Sequence, residues 1–196
     1  MSVEVTELDH VTAAPWKNGG GTTRDLLAWP DAAHWQLRIS VATIERDGPF
    51  SVYEGVDRWF AVVSGVGVAL QMGGERYEMR GGAPPLRFDG ALSPMCWLLD
   101  GPTRDLNLMV QRGSGHAALL DAAPGKDWVS RCPWRALVTS DATHLVVDDQ
   151  LVAGTRGVSL VWSAQAAGQR WRVRPQHDFH AHAWWIEFQP RRAAAP

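Results

Sequence analysis

Cysteine is nearly absent from this chain of 196 residues. The two cysteines, Cys96 and Cys132, form no CxxC pair and no even-numbered framework. A disulfide-stapled fold is excluded, and core thiols in a reducing compartment are expected. Long apolar runs are missing too, since no stretch approaches the ~20 residues that a membrane helix needs. The acidic opening "MSVEVTELDH" has no apolar run after a basic region and is not expected to act as a signal peptide. Charge bias is slight, with a net charge of −2, which removes the electrostatic case for nucleic acid or a membrane surface as partner. A cytoplasmic protein is expected. Its oligomeric state is not specified by these features, and a homodimer stays open.

Helical periodicity is scarce as well, and period-two alternation takes its place. In "WQLRISVATI" (35–44), Trp35, Leu37, Ile39 and Val41 share one face while Gln36, Arg38 and Ser40 share the other. "WFAVVSGVGVAL" (59–70) is nearly continuous apolar, as a strand covered on both sides would be. "GVGVALQMGGERYEMR" reads as a hairpin over Gly73-Gly74, and "HLVVDDQLVAG" as another over Asp148-Asp149. "MCWLLDGPTRDLNLMVQR" (95–112) gives two strands turning near Gly101-Pro102. In the second of them Leu106, Leu108 and Val110 alternate with Asp105, Asn107 and Met109. Many short strands between Gly, Pro and Asp turns mean an all-β barrel or sandwich. "GSGHAALLDAAPGKDW" (113–128) reads as the one helical turn and as the boundary between a half at 1–115 and a half at 116–196. Eleven tryptophans, spread from Trp16 to Trp185, suit the cores and pockets of two halves packed together.

Three groups of residues carry candidate chemistry. "PWKNGGGTTRDL" (15–26) is not a nucleotide P-loop, because Lys17 precedes the glycines and no apolar helix follows. Its glycines, Gly20 among them, would let backbone N–H groups approach an anion, with Lys17, Asn18, Thr22 and Arg24 adding donors and Trp16 an apolar wall. Such converging donors suit a carboxylate; a plain hairpin with a solvated rim is the alternative. Arg38 and Ser40 on one strand, with Asp105 and Asn107 on another, would line a polar lumen if the sheet closes into a barrel. An open solvated sheet face would carry the same pattern. Arg58 reads as a structural partner of Asp57 or Asp105, with direct contact to the ligand as the alternative. In the C-terminal "HDFHAHAWWIEF", His180, His182 and Glu187 have the H-x-H-x4-E spacing of a metal site. On an ideal strand, though, Glu187 points away from both histidines, so a packed or surface pair is the plainer reading. No nucleophile and base stand in a recognisable order, so catalysis finds no support.

The stretches "PWKNGGGTTRDL", "WQLRISVATIERDGPFSVYEGVDR" and "GPTRDLNLMVQR" together resemble the HutD/Ves family, small bacterial proteins of cupin type. The resemblance covers residues 15 to 112 well and the remainder loosely. It implies a bicupin-like architecture of double-stranded β-helix barrels and a regulatory or ligand-sensing role in histidine breakdown. On the cupin motifs Gly48, Gly67, Gly82 and Gly90 hold the turn positions. Glu54, Val56, Phe60 and Ser93 stand where the metal ligands would be. The resemblance therefore implies a barrel without metal or other cofactor that binds a small carboxylate such as urocanate or N-formylglutamate. Two other readings stay open: a metal-dependent isomerase or dioxygenase built on His180 and His182, and a structural interaction module.

Overall fold

The structure, a computed structural model, describes residues 2–177 and 182–191. Among these residues there is no α-helix, and a single 3-10 turn, Leu8–His10, interrupts the strands. Strand β1 (Glu4–Glu7) precedes that turn. It is followed by β2 (Ala14–Pro15), β3 (Gly21–Trp29), β4 (Leu37–Ile44), β5 (Gly48–Pro49), β6 (Val56–Ser64) and β7 (Val68–Met72). Next come β8 (Glu75–Met79), β9 (Leu86–Asp89), β10 (Met95–Leu98) and β11 (Thr103–Gln111). The remainder comprises β12 (Gly115–Asp121), β13 (Asp127–Val129), β14 (Trp134–Thr139), β15 (Thr143–Val147) and β16 (Gln150–Gly154). The last three are β17 (Ser159–Ser163), β18 (Arg170–Pro175) and β19 (Ala183–Pro190).

The chain divides into two units, Val11–Arg112 and Met1–His10 with Gly113–Pro196. Residues 1–10, expected in the N-terminal half, group instead with the C-terminal one, because β1 pairs antiparallel with β17, Glu4 opposite Trp162. A second correction concerns 113–128. Its alanines and leucines read as helical, yet β12 pairs with β19 along its length, Gly115 opposite Pro190 to Asp121 opposite Trp184. Pairing to a neighbouring strand overrides local helix propensity here.

In the Val11–Arg112 unit a six-stranded antiparallel sheet, β2-β3-β4-β11-β6-β9, faces a four-stranded one, β5-β10-β7-β8. Ile44, Phe60, Val62 and Phe88 of the first pack on Val68, Leu70, Met79 and Cys96 of the second. The long apolar run 59–70 is thus two strands in different sheets, broken at residues 65–67. Burying side chains of this size is worth about 1.5–3 kcal/mol each, so this interior carries much of the unit's stability. The other unit repeats the plan, with sheets β1-β17-β14-β19-β12 and β13-β18-β15-β16. Leu137, Leu145, Val161, Trp171, Val173 and Trp185 form its interior.

Candidate functional site

Cross-strand register builds the site. On the inner face of the six-stranded sheet, Ser40 of β4 lies opposite Asn107 of β11, which lies opposite Phe60 of β6. One step along the sheet, Arg38, Met109, Arg58 and Phe88 form a parallel row. Directly opposite and diagonal neighbours such as these are within side-chain reach. A register shift between Arg104 and Asp105 bulges the β6–β11 pairing just where Asp105 enters the interior. Towards the end of these rows the apolar filling stops, leaving a cavity of about 460 Å³. That size falls within the range of small-molecule sites.

Trp16, Lys17, Asn18, Arg38, Ser40, Asp105 and Asn107 all line this cavity, with Thr23, Phe50, Tyr53 and Arg58. Ser40, Asp105 and Asn107 are buried. Trp16 is fixed by its indole Nε1 donating to Thr23 Oγ1 at 2.7 Å and by an edge-on contact with Phe50.

Three expected residues do not line the cavity. Thr22 and Arg24 flank Thr23 on β3, so strand alternation turns them to the other face. Arg24 Nε donates to Val11 O at 3.1 Å. The Gly20 amide already donates to Asn18 Oδ1 at 3.0 Å, and the Gly19 amide to Trp16 O at 3.0 Å. Neither N–H is left for an anion. Gly21 answers a packing need, because a Cβ there would meet Thr43 O at 2.1 Å. The glycines close a tight turn that carries Trp16, Lys17 and Asn18 to the cavity.

Arg58 lies in the cavity lining rather than in the structural ion pair that its sequence neighbours suggest. It pairs with neither expected aspartate. Asp57 points to the opposite face and bonds Arg87 and Arg112 at 2.9 and 3.0 Å. Asp105 is not within ion-pair distance of Arg58 among the described contacts. Arg58 is 4 % exposed, and its guanidinium lies 5.0–5.5 Å from the ring centres of Phe50, Tyr53 and Phe88. Nη1 donates to Ser51 O at 3.2 Å and Nη2 to Asn107 Oδ1 at 2.9 Å, while Nε has no partner. Burial pushes its pKa down to about 10, which leaves it charged at neutral pH. Asn107 Nδ2 in turn donates to Asp105 Oδ2 at 3.3 Å, and Asp105 Oδ1 has no partner. Burial holds the Asp105 carboxyl well above the usual range, against smaller opposing effects of Asn107 and Arg58. Arg38 differs: Asp25 grips it with two bonds of 2.9 Å. The period-two repeat Arg58, Phe60, Val62 was a signal that placed Arg58 inside.

His182, in the other unit, donates its backbone N–H to Ser140 Oγ at 2.9 Å and has its ring 6.2 Å from that of Trp184. His180 lies outside the described residues.

A family model described as HutD matches residues 8–179. The chain belongs to the HutD family. An uncharacterized 21.2 kDa protein in the hutC 3' region of Pseudomonas putida is 37 % identical over 99 residues, 48 % of this chain and 51 % of that protein. Protein Ves of Cronobacter sakazakii is 33 % identical over 98 residues, 50 % of this chain and 54 % of that protein. The chain thus spans about half the length of the curated relatives it matches. HutD from Pseudomonas fluorescens superposes with a TM-score of 0.84 at 24 % identity, over 97 % of this chain and all of that one. A point mutant of Bacillus subtilis oxalate decarboxylase superposes with 0.63 at 9 % identity, over 96 % and 78 %. These likenesses show the fold of this HutD-family chain to be cupin-type and bicupin-like.

Cupin barrels characteristically hold a metal in the lumen, but this donor set does not fit one. The cavity is lined by two guanidiniums, one ammonium, two amides, hydroxyls and a single carboxyl, and by no imidazole. Guanidiniums cannot ligate a cation and repel it. Of the positions that matched the metal-ligand spacing, Glu54 is exposed, Val56 and Phe60 pack in the interior, and Ser93 Oγ donates to Phe50 O at 2.6 Å. Among the described residues no three of His, Cys, Asp and Glu gather, and no helix is long and apolar enough to cross a membrane.

Proposed function

We propose that the cavity of the Val11–Arg112 unit binds a small carboxylate without a metal, and that the protein uses this binding to sense or regulate histidine utilisation. The observation that carries the reading is Arg58. A buried guanidinium that lines an open cavity, with no carboxylate within ion-pair reach among the described residues, is a charge that an anion would pair. Lys17 adds a second cation at the rim, and Trp16 and Phe50 supply an apolar wall for a short carbon skeleton. The metabolic setting is supported by the HutD family and by the relative in the hutC 3' region; it directs the search to urocanate and N-formylglutamate.

Calorimetric titration with these two acids tests the reading. One of them is expected to bind saturably at one per chain. Losing a charged hydrogen bond costs about 1.5–3 kcal/mol, so Arg58→Gln is expected to weaken binding about ten- to a hundredfold. Equal affinity in wild type and Arg58→Gln would remove the guanidinium from the ligand site.

A further inference from the structure

Charges at the cavity do not balance. Arg38 is neutralised by Asp25. Lys17 and Arg58 have no carboxylate partner among the described contacts. One carboxyl faces the space, Asp105, and its setting is unsuited to an anion. It is 1 % exposed, its single contact is an amide donor at 3.3 Å, and Oδ1 is buried without a partner. The groups around it are Asn107 on its own strand, Ser40 and Arg38 on β4, Arg58 on β6 and Cys96 on β10. Arg38 is committed to Asp25, and Arg58 reaches Asn107 instead. The Cys96 thiol, raised by burial to about 12, contributes no charge at neutral pH. An isolated buried carboxylate is strongly disfavoured relative to the acid. The carboxyl's burial-driven shift agrees with this geometry.

We propose that Asp105 faces the cavity as a neutral carboxylic acid whose hydroxyl donates a hydrogen bond to the ligand, and that the pocket consequently takes dianions, short dicarboxylates, in preference to monocarboxylates. This rests on the reading of the cavity as a carboxylate site. One carboxylate accepts from Arg58 and from the Asp105 hydroxyl in the interior. The second carboxylate lies towards Lys17 and Asn18. With Asp105 neutral and Arg38 paired, Arg58 and Lys17 supply the two positive charges that such a ligand neutralises. Asn107 links Arg58 to Asp105, accepting from the first and donating to Asp105 Oδ2, which leaves Oδ1 as the oxygen to carry the proton.

Two measurements test this on the whole protein. In the first, N-formylglutamate and glutarate are titrated against urocanate and butyrate by calorimetry. The dicarboxylates are expected to bind at least about tenfold tighter, the scale of one added charged hydrogen bond. Asp105→Asn retains the shape and an N–H donor and is expected to keep dicarboxylate affinity within about threefold, whereas Asp105→Ala loses about tenfold. Thermal melts establish that both variants are folded. In the second measurement, infrared difference spectra of wild type minus Asp105→Asn at neutral pH are expected to show a carboxylic-acid C=O band. Its absence overturns the proposal whatever the affinities. Monocarboxylates binding as tightly as dicarboxylates also overturns it and leaves a carboxylate pocket standing. Failure of all four acids to bind brings down the reading of the cavity, and the dianion preference with it.

Discussion

Arg58 in the Val11–Arg112 unit and Arg135 in the other unit are both buried arginines, 4 % and 0 % exposed, each with its guanidinium held against aromatic rings. Burial pushes both down to about 10. Their surroundings differ. Arg135 of β14 lies 5.3 and 5.1 Å from the ring centres of Trp128 and Trp171, and Trp128 stacks on Trp185 at 4.9 Å. Its Nη1 donates to Gln169 O at 2.7 Å, and its Nε and Nη2, like Nε of Arg58, are buried without a partner. Indole faces are a favourable seat for a cation, and this arginine serves as a packing element. Arg58 instead borders Asn107, Asp105 and Ser40 and a cavity. A buried charge alone does not mark a binding site. Nor do unmet hydrogen bonds, which both arginines have; what sets Arg58 apart is the open space it borders.

The contrast is most open to attack at Arg135. Emptying its cage with Arg135→Ala is expected to cost about 3 kcal/mol of stability, the scale for large buried side chains. Carboxylate affinity should stay unchanged. Arg135→Met should recover most of that loss, since apolar groups of similar volume replace buried ions well. Denaturant unfolding and calorimetry on the two variants give both numbers. A loss of ligand affinity in either would erase the distinction between the arginines.

A smaller effect sharpens the site's own chemistry. The folded-state value of the Asp105 carboxyl is raised above its ordinary 3.8. Between the two values the folded chain keeps a proton that the unfolded chain has released, so this group lowers stability as pH rises through that window. Asp105→Asn does not titrate. Its stability relative to wild type is expected to grow with pH from about 4 upward, with a limiting slope of about 1.4 kcal/mol per pH unit for one proton. Unfolding curves at several pH values check the sign; a difference that shrinks as pH rises would mean the carboxyl is ionised in the fold.

The smallest effect concerns the glycine-rich segment. Arg24 is turned away from the cavity, so Arg24→Ala is expected to change carboxylate affinity by no more than about twofold, well below the loss of a charged hydrogen bond. A tenfold loss by calorimetry would return the segment to the role of an anion cradle.

Strand alternation made much of this legible. The patterns at 37–44 and 105–110 separate the residues facing the cavity from their neighbours, and the Gly73-Gly74 and Asp148-Asp149 hairpins form where their residues indicate. Other features depend on pairing that no local pattern carries. The alanines and leucines of β12 become a strand through β19. The glycine amides are consumed by Trp16 O and Asn18 Oδ1 within their own turn, and a list of donors cannot reveal that they are already spent. Phe50 and Tyr53 reach the cavity from a connection with no periodicity to read.

The pairing of β1 with β17 bears on how the protein is made. Residues 11–112 are contiguous, so their sheets can close while later residues are still on the ribosome. Residues 4–7 emerge earlier, yet the strand they pair with, residues 159–163, is synthesised only after that whole unit. An unpaired strand waits through that interval, and unpaired edges are where nascent chains find wrong partners. Glu4 and Glu7, at either end of β1, put negative charge on that waiting edge, a feature that discourages association with other chains until β17 arrives.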